Sequence, residues 1–136
     1  AAQCGAYYTF GQFMSSTDGT EVVQNYREQF QPTATREKPH VMIAVHAICA
    51  ETDSQALTLA EQFRTQFPQS SIGRPDLKGK DDRMSMILGD VERVRERLLD
   101  LQETYQADEI MVVSPVTNYE DRLESYRLIA EAAGLN

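Results

Sequence analysis

Apolar residues along the chain alternate between two spacings, and their order predicts strands separated by helices. The segment 40–50, HVMIAVHAICA, is apolar on both alternating sets of positions, which is typical of a strand covered on both faces. The aromatic and β-branched stretch at 6–13 and the run at 110–113 are typical of two more strands. A short apolar patch at 84–88 is not assigned to a strand. The pattern therefore predicts three strands.

Helical spacings of three and four separate the predicted strands. Four residues whose side chains can accept hydrogen bonds from a first helical turn mark the predicted helix starts: Thr20, Thr52, Asp90 and Asn118. In the last helix, which ends at Gly134, the spacing places Leu123, Tyr126 and Ala130 toward the core. The opening residues AAQCG are typical of the last turn of a helix, with Gly5 as its stop.

Strands that alternate with helices imply a parallel sheet with right-handed crossovers, so the predicted fold class is α/β. Three strands make a thin parallel sheet, and helices on one face alone would leave the other face exposed. We therefore expect residues 1–136 to form a single partial domain whose sheet needs further strands. Residues 69–83, rich in Gly, Ser and charge, are predicted to be an exposed loop.

Composition and net charge disfavour some classes of binding partner. The chain has 136 residues, 41% hydrophobic and 25% charged, which is ordinary for one globular domain. Its net charge of -8 leaves no basic stripe for nucleic acid and disfavours an anionic membrane surface. Cys4 and Cys49 form no disulfide framework, and Cys49 is predicted to be a buried thiol. With no membrane span or signal peptide in the pattern, a cytoplasmic protein is expected.

Three segments carry a family resemblance: YREQFQP, KPHVMIAVHAICAETDSQALTLA and ILGDVERVRERLLDLQETYQADEIMVVSPVTNYEDRLESYRLIAEA. Their order and spacing resemble the C-terminal part of the bacterial luciferase-like, flavin-dependent monooxygenases, over nearly the whole chain. The resemblance implies a (β/α)8 TIM barrel that binds reduced FMN and oxidises a small organic substrate with O2. Such a barrel takes roughly 250 residues, so this chain would supply only its last three βα units.

Two departures from the family pattern limit what the chain is expected to do by itself. The family's Gly-Ser-Ser turn, which helps hold the flavin phosphate, would lie immediately before Ala1 and is absent. The segment between Phe67 and Met84 is shorter than the family's usual excursion, which puts the substrate lid in doubt. The resemblance therefore implies a chain that is inactive alone.

In barrels of this class, function lies at the carboxyl ends of the strands. Gln12 and Phe13 lie at the carboxyl end of a predicted strand and Ser114 follows another, and on this position alone they are the predicted cofactor-binding residues. Gln12 stands near a strand end where family members often have histidine. It could hydrogen-bond a flavin edge or a substrate, or it could be an exposed loop glutamine, which is the favoured interpretation. Catalytic residues are left unassigned, because the flavin carries the oxygen chemistry.

The two histidines do not suggest a metal centre. His40 and His46 lie six residues apart on one side of a strand, which separates them by about 20 Å and excludes a shared metal site. His46 is most simply a core or barrel-lining residue.

Two hypotheses from different classes follow. In the first, the chain is the C-terminal part of a monooxygenase and acts with its missing N-terminal half. In the second, it is a non-catalytic, self-associating α/β module that completes its sheet as a homo-oligomer, because an unpaired edge is a template for pairing. A flavodoxin-like binder is a weaker third possibility, because no phosphate-cradling loop follows the first strand.

Overall fold

The computed structural model describes residues 1–14, 19–70 and 86–135. The helices and strands follow in chain order: β1 Tyr8–Gly11, α1 Thr20–Glu28, β2 Val41–Cys49, α2 Asp53–Gln66, β3 Ile87–Gly89, α3 Val91–Tyr105, β4 Glu109–Val113 and α4 Tyr119–Ala132. Short 3₁₀ turns cover Ala2–Cys4 and Gln12–Met14. The loop predicted at 69–83 lies, from residue 71 onward, outside the described residues.

The sheet is parallel and β2 is its centre. β1 pairs with β2 from Val41 to Ala44, and β4 pairs with β2 from Met42 to His46. Because the same β2 residues pair with both strands, β1 and β4 flank β2 on opposite sides. β3 pairs with the last three residues of β2, Ala47 to Cys49. The described sheet therefore has four strands, and the prediction of three was wrong because β3 is too short to show a period.

Alternation along the strands separates two faces of the sheet. The helix face packs against α1, α3 and α4 and comprises Tyr8, Phe10, Val41, Ile43, Val45, Ala47, Cys49, Ile110 and Val112. The opposite face, here called the open face, comprises Thr9, Gly11, Met42, Ala44, His46, Glu109, Met111 and Val113. Every β2 residue except Met42 is buried, which confirms the prediction of a strand covered on both faces.

Three of the four predicted helix caps are confirmed. Thr52 Oγ1 accepts the Gln55 N–H, and the Asp90 carboxylate accepts the Arg93 N–H. Asn118 Oδ1 accepts the N–H groups of the two residues that follow Tyr119. Each bond satisfies a donor that the first helical turn leaves unpaired.

The predicted cap at Thr20 was wrong. Helix α1 begins at Thr20, and Gly19 is its cap without a side-chain bond. A Cβ at Gly19 would lie 2.2 Å from the Phe10 ring. Close packing of the helix start on the strand therefore requires glycine at the cap position, which outweighs the ordinary preference for a side chain that accepts hydrogen bonds.

The predicted inner face of α4 was also wrong. The helix buries Ser125, Leu128, Ile129 and Ala132, whereas Leu123 is 49% exposed and Tyr126 is also exposed. Packing on β2 and α3 selects a face rotated away from the one that the apolar spacing indicated. Helix α4 consequently carries a second apolar face that the described chain does not cover.

At the start of the chain, Gly5 ends the turn Ala2–Cys4 in the left-handed region, with φ 59°. The prediction of a short helical end stopped by Gly5 is therefore confirmed. Within the three described ranges, no helix combines the length and the apolar character needed to cross a membrane.

Candidate functional site

The carboxyl ends of β1, β2 and β4 meet at one rim of the sheet, because the three strands are parallel and adjacent. Directly after β1, the chain folds back in the turn Gln12–Met14. The Phe13 ring there stacks on the His46 ring of β2, with 4.0 Å between centroids and 26° between planes. An aromatic pair therefore marks this rim on the open face.

Burial governs the chemistry of His46. The side chain is buried; it stacks on the Phe13 ring, and His46 pairs with Val113 of β4. Loss of solvation lowers the pKa of His46 from its ordinary value, since water no longer stabilises the imidazolium. At neutral pH the imidazole is uncharged, so it presents one N–H donor and one acceptor.

Gln12 is 2% exposed, so the favoured interpretation of an exposed loop glutamine was wrong. The cause is the 3₁₀ turn, which carries the residue back against β2 where an open loop was expected. Its predicted contact with a cofactor stays a prediction. Composition gave no signal for this burial, because the turn depends on packing against β2.

Ser114 belongs to a buried hydrogen-bond network that joins two strand ends to α4. Its Oγ lies 3.1 Å from Ser125 Oγ, which accepts the Cys49 N–H at 3.0 Å. The Ser114 N–H donates to the Tyr126 hydroxyl oxygen at 3.1 Å. The Ser114 hydroxyl is thus engaged with the helix side, and its role as a cofactor contact stays a prediction.

On the open face, two small residues of β1 and β2 adjoin exposed apolar residues of β4. Gly11 and Ala44 lie side by side, and Met111 pairs with Ala44 on the other flank. Val113 lies beside His46 at the rim. Met111 is 48% and Val113 40% exposed, although both are apolar. Three strands span about 10 Å, which is wide enough for a fused aromatic ring system to lie across them.

The amino ends of the same strands have a different character. His40 Nε2 lies 2.9 Å from Glu109 Oε1, and the Asp108 carboxylate binds Arg27 at 3.0 Å and the Val41 N–H at 2.8 Å. Burial opposes ionisation of Asp108, but the Val41 N–H and Arg27 outweigh it and lower its pKa. This rim is a set of charged contacts that fastens α1 and β4 to β2.

Comparison with known proteins shows which proteins this chain is similar to. No family model matches the chain. The chain is 34% identical to the protein YwcH of Bacillus subtilis, over 97% of this chain and 45% of YwcH. It is 27% identical to the luciferase-like monooxygenase of Escherichia coli K12, over 94% of this chain and 44% of that protein.

Two solved structures are also similar to this chain. The chain superimposes on apo-MsnO8 with a TM-score of 0.83 and 26% identity, over 99% of this chain and 47% of MsnO8. The riboflavin lyase RcaE, solved with modified FMN and riboflavin, gives a TM-score of 0.57 at 14% identity, over 95% of this chain and 39% of RcaE. The second likeness shows a shared fold alone.

The class of protein follows: this is an α/β chain of parallel βα units that forms part of a (β/α)8 barrel. The resemblance to luciferase-like monooxygenases is confirmed by these relatives. The chain spans about half the length of the relatives that it matches.

Proposed function

We propose that this chain forms the C-terminal, flavin-facing part of an FMN-dependent, luciferase-like monooxygenase that oxidises a small organic substrate with O2. The observation that carries the proposal is the open face at the carboxyl ends of β1, β2 and β4. There, the exposed apolar residues Met111 and Val113 of β4 lie beside the buried His46, on which the Phe13 ring stacks. In α/β barrels this end of the strands holds the reacting groups.

The residues fit the ring portion of FMN. Phe13, Met111 and Val113 supply apolar contact for a flat aromatic system, and Met14 lies over Gly11, where an added Cβ would be 3.2 Å from its sulfur. Gln12 lies at the same rim as a buried amide, and its contact with a polar ring edge is part of the proposal. Tight binding of a planar ligand needs this combination of apolar area and a few placed polar groups.

The phosphate portion of FMN fits less well. The Gly-Ser-Ser turn that the family resemblance associates with the phosphate is absent from the sequence. We therefore assign the phosphate to another part of the barrel, and we expect the isolated chain to bind FMN weakly. Bound FMN would supply the chemistry with O2, which side chains cannot perform.

The chain's own residues would bind and orient the flavin ring and exclude water from it. Phe13 and the two exposed apolar residues of β4 would remove water from one side of the ring, which strengthens polar contacts there. Neutral His46 would hold the Phe13 ring by stacking and place an uncharged nitrogen near the ligand. No residue is assigned a proton-transfer step. We also propose a cytoplasmic location, in keeping with soluble flavin chemistry.

A second candidate is the self-associating module. Its supporting observation is that, along the described chain, β4 pairs with β2 alone and leaves its other side unpaired. A copy of the chain could pair there, and the exposed Met111 and Val113 would be covered in the dimer. Catalysis would then play no part in the function.

A chimeric protein tests the first proposal against the second. In this chimera, residues 1–136 replace the matched part of YwcH, so that the remainder of YwcH completes the barrel. FMN is titrated into the chimera and into the isolated chain, with flavin fluorescence as the readout. We expect one FMN per chimera and binding at least tenfold weaker in the isolated chain.

Tight stoichiometric binding of FMN by the isolated chain would contradict the assignment of the phosphate to another part of the barrel. Absence of flavin binding by a folded chimera would contradict the proposed function itself. Sedimentation of the isolated chain addresses the second candidate: a stable dimer without FMN binding by the chimera would favour the module.

A further inference from the structure

We propose that His46 makes this site selective for the reduced, anionic form of the flavin, by taking up a proton from solvent when that form binds. The inference rests on the proposed function and goes beyond it, because it names the redox form of FMN that is favoured and the residue that favours it. The observation that carries it is a buried imidazole on the open face that has no hydrogen-bond partner among the described residues.

His46 lies on the open face, because its side chain alternates along β2 with those of Val45 and Ala47, which belong to the helix face. It pairs with Val113 of β4, and only 6% of the residue is exposed. Its ring stacks on Phe13, and within residues 1–14, 19–70 and 86–135 neither ring nitrogen makes a hydrogen bond. The imidazole has therefore lost most of its water without gaining a polar partner, which a bound ligand can supply.

The strands and the turn beside His46 bring no charge to it. Loss of solvation lowers the pKa of His46, and no charged group of the described chain contributes to that change. The turn Gln12–Met14 and strand β3 contain no ionisable side chain. On β4, Glu109 pairs with Met42, four positions before His46, and its carboxylate binds His40.

The helices hold their charges elsewhere. Helices α1, α3 and α4 pack on the helix face, on the other side of the sheet from His46, and α2 packs on Ile48 through Ala56 and Ala60. The charged side chains of the helices form ion pairs of their own: Arg27–Asp108, Asp53–Arg93, Arg97–Asp100 and Arg127–Glu124. A negative charge that enters the open face would therefore meet an imidazole without a competing partner in the described structure.

An anionic ligand changes the balance between the two forms of His46. The reduced flavin ring is an anion near neutral pH, whereas the oxidised ring is neutral. A negative charge beside an imidazole raises the imidazole pKa, and the effect is larger where apolar groups such as Phe13 and Val113 exclude water. By linkage, uptake of the proton strengthens binding of the anion and leaves binding of the neutral ring unchanged.

The chimera with YwcH provides the test, with oxidised FMN and FMN reduced by dithionite under anaerobic conditions as the two probes. Calorimetric titrations are made at about pH 8, where the free histidine is neutral and reduced FMN is already an anion in water. Buffers that differ in their heat of ionisation report the number of protons taken up per flavin. The flavin phosphate is the same in both probes, so its contribution cancels.

The variants separate charge from structure. His46→Gln keeps a neutral hydrogen-bonding group but cannot take up the proton, and His46→Asn is a second variant of the same kind. His40→Gln is the matched control, because His40 also stacks on an aromatic ring but lies at the amino rim. Circular dichroism establishes that each chimera is folded.

We expect the wild-type chimera to bind reduced FMN at least about tenfold more tightly than oxidised FMN, and to take up about half a proton or more with the reduced form alone. His46→Gln should keep its affinity for oxidised FMN, lose the proton uptake and lower the ratio of the two affinities about tenfold. His40→Gln should behave as wild type.

Equal affinity of the wild-type chimera for the two forms, without proton uptake, would overturn this inference and leave the proposed function standing. So would a ratio of affinities that His46→Gln and His46→Asn leave unchanged, including the case in which both forms are weakened equally by a loss of packing. A folded wild-type chimera that binds neither form would contradict the proposed function, and this inference would fall with it.

Discussion

The two rims of the sheet carry similar aromatic–histidine contacts in opposite surroundings. At the amino rim, Tyr7 lies over His40 with 4.7 Å between centroids, and at the carboxyl rim Phe13 lies over His46 at 4.0 Å. His40 has a carboxylate partner in Glu109, and it is only part-buried. His46 is buried, and its pKa is lowered by the loss of water.

This difference separates residues that hold the fold together from residues that are free to act on a ligand. Charged pairs at the amino rim join α1, β2 and β4, so their polar groups are already engaged. At the carboxyl rim, apolar side chains on the open face remain exposed beside the neutral histidine. The same division between a stabilising and a functional end is general in α/β barrels.

The largest stability effect is expected at the carboxyl rim, from Ser125→Ala. The substitution removes the oxygen that accepts the buried Cys49 N–H and contacts Ser114. We expect a loss of about 2 kcal/mol in the free energy of unfolding, because a buried donor is left without a partner. Urea denaturation measures it, with the exposed Ser54→Ala on α2 as control. A loss no larger than that of the control would show that the network contributes nothing.

A smaller effect is expected at the amino rim, from Asp108→Asn. Asparagine can still accept the Val41 N–H but loses the ion pair with Arg27. Solvent screens a carboxylate that is 39% exposed, so we expect a loss of about 1 kcal/mol at pH 7. The pair Arg97–Asp100 on α3 offers Asp100→Asn as the matched control.

The Asp108 effect should depend on pH. The folded-state pKa lies below the ordinary aspartate value, so the stabilisation is present above that value and is lost as pH falls through the folded pKa. Wild type and Asp108→Asn should therefore converge in stability in acid. A difference between them that is constant down to pH 2 would contradict the assigned ion pair.

A still smaller effect is expected from His46→Gln, again as a dependence on pH. Because burial lowers the pKa of His46 in the folded state, the unfolded chain binds the proton more readily. Wild-type stability should be complete above the ordinary histidine pKa and decline as pH falls below it. The decline between pH 7 and pH 5 should be shallower in His46→Gln. Identical slopes in urea denaturation would show that His46 is not held neutral.

Local chemistry allowed much of the fold to be predicted from the sequence. Thr52, Asp90 and Asn118 cap helices because their side chains reach the first turn of their own segment, which needs no tertiary information. The continuous apolar run of β2 likewise predicts that this strand is buried. The (β/α)8 class required the family resemblance, since parallel pairing alone does not fix the number of strands.

The failures occurred where distant contacts decide the outcome. Gly19 caps α1 because the Phe10 ring fills the space, and the turn at Gln12 buries an amide that composition suggested was exposed. The apolar spacing of α4 was real, but it marks the second apolar face that the described chain does not cover, and the buried face includes the small residue Ser125. When a helix has two apolar faces, periodicity alone does not tell which of them is buried.

The most direct test of the flavin assignment compares the two aromatic residues that stack on histidine. Phe13→Ala and Tyr7→Ala are made in the chimera with YwcH, and the Kd for FMN is measured by flavin fluorescence. We expect Phe13→Ala to raise the Kd for FMN about tenfold, because the loss of one aromatic contact costs about 1.4 kcal/mol of binding free energy. Tyr7→Ala should leave the Kd unchanged. Equal Kd values for the two variants would contradict the claim that the carboxyl rim of the open face binds the flavin.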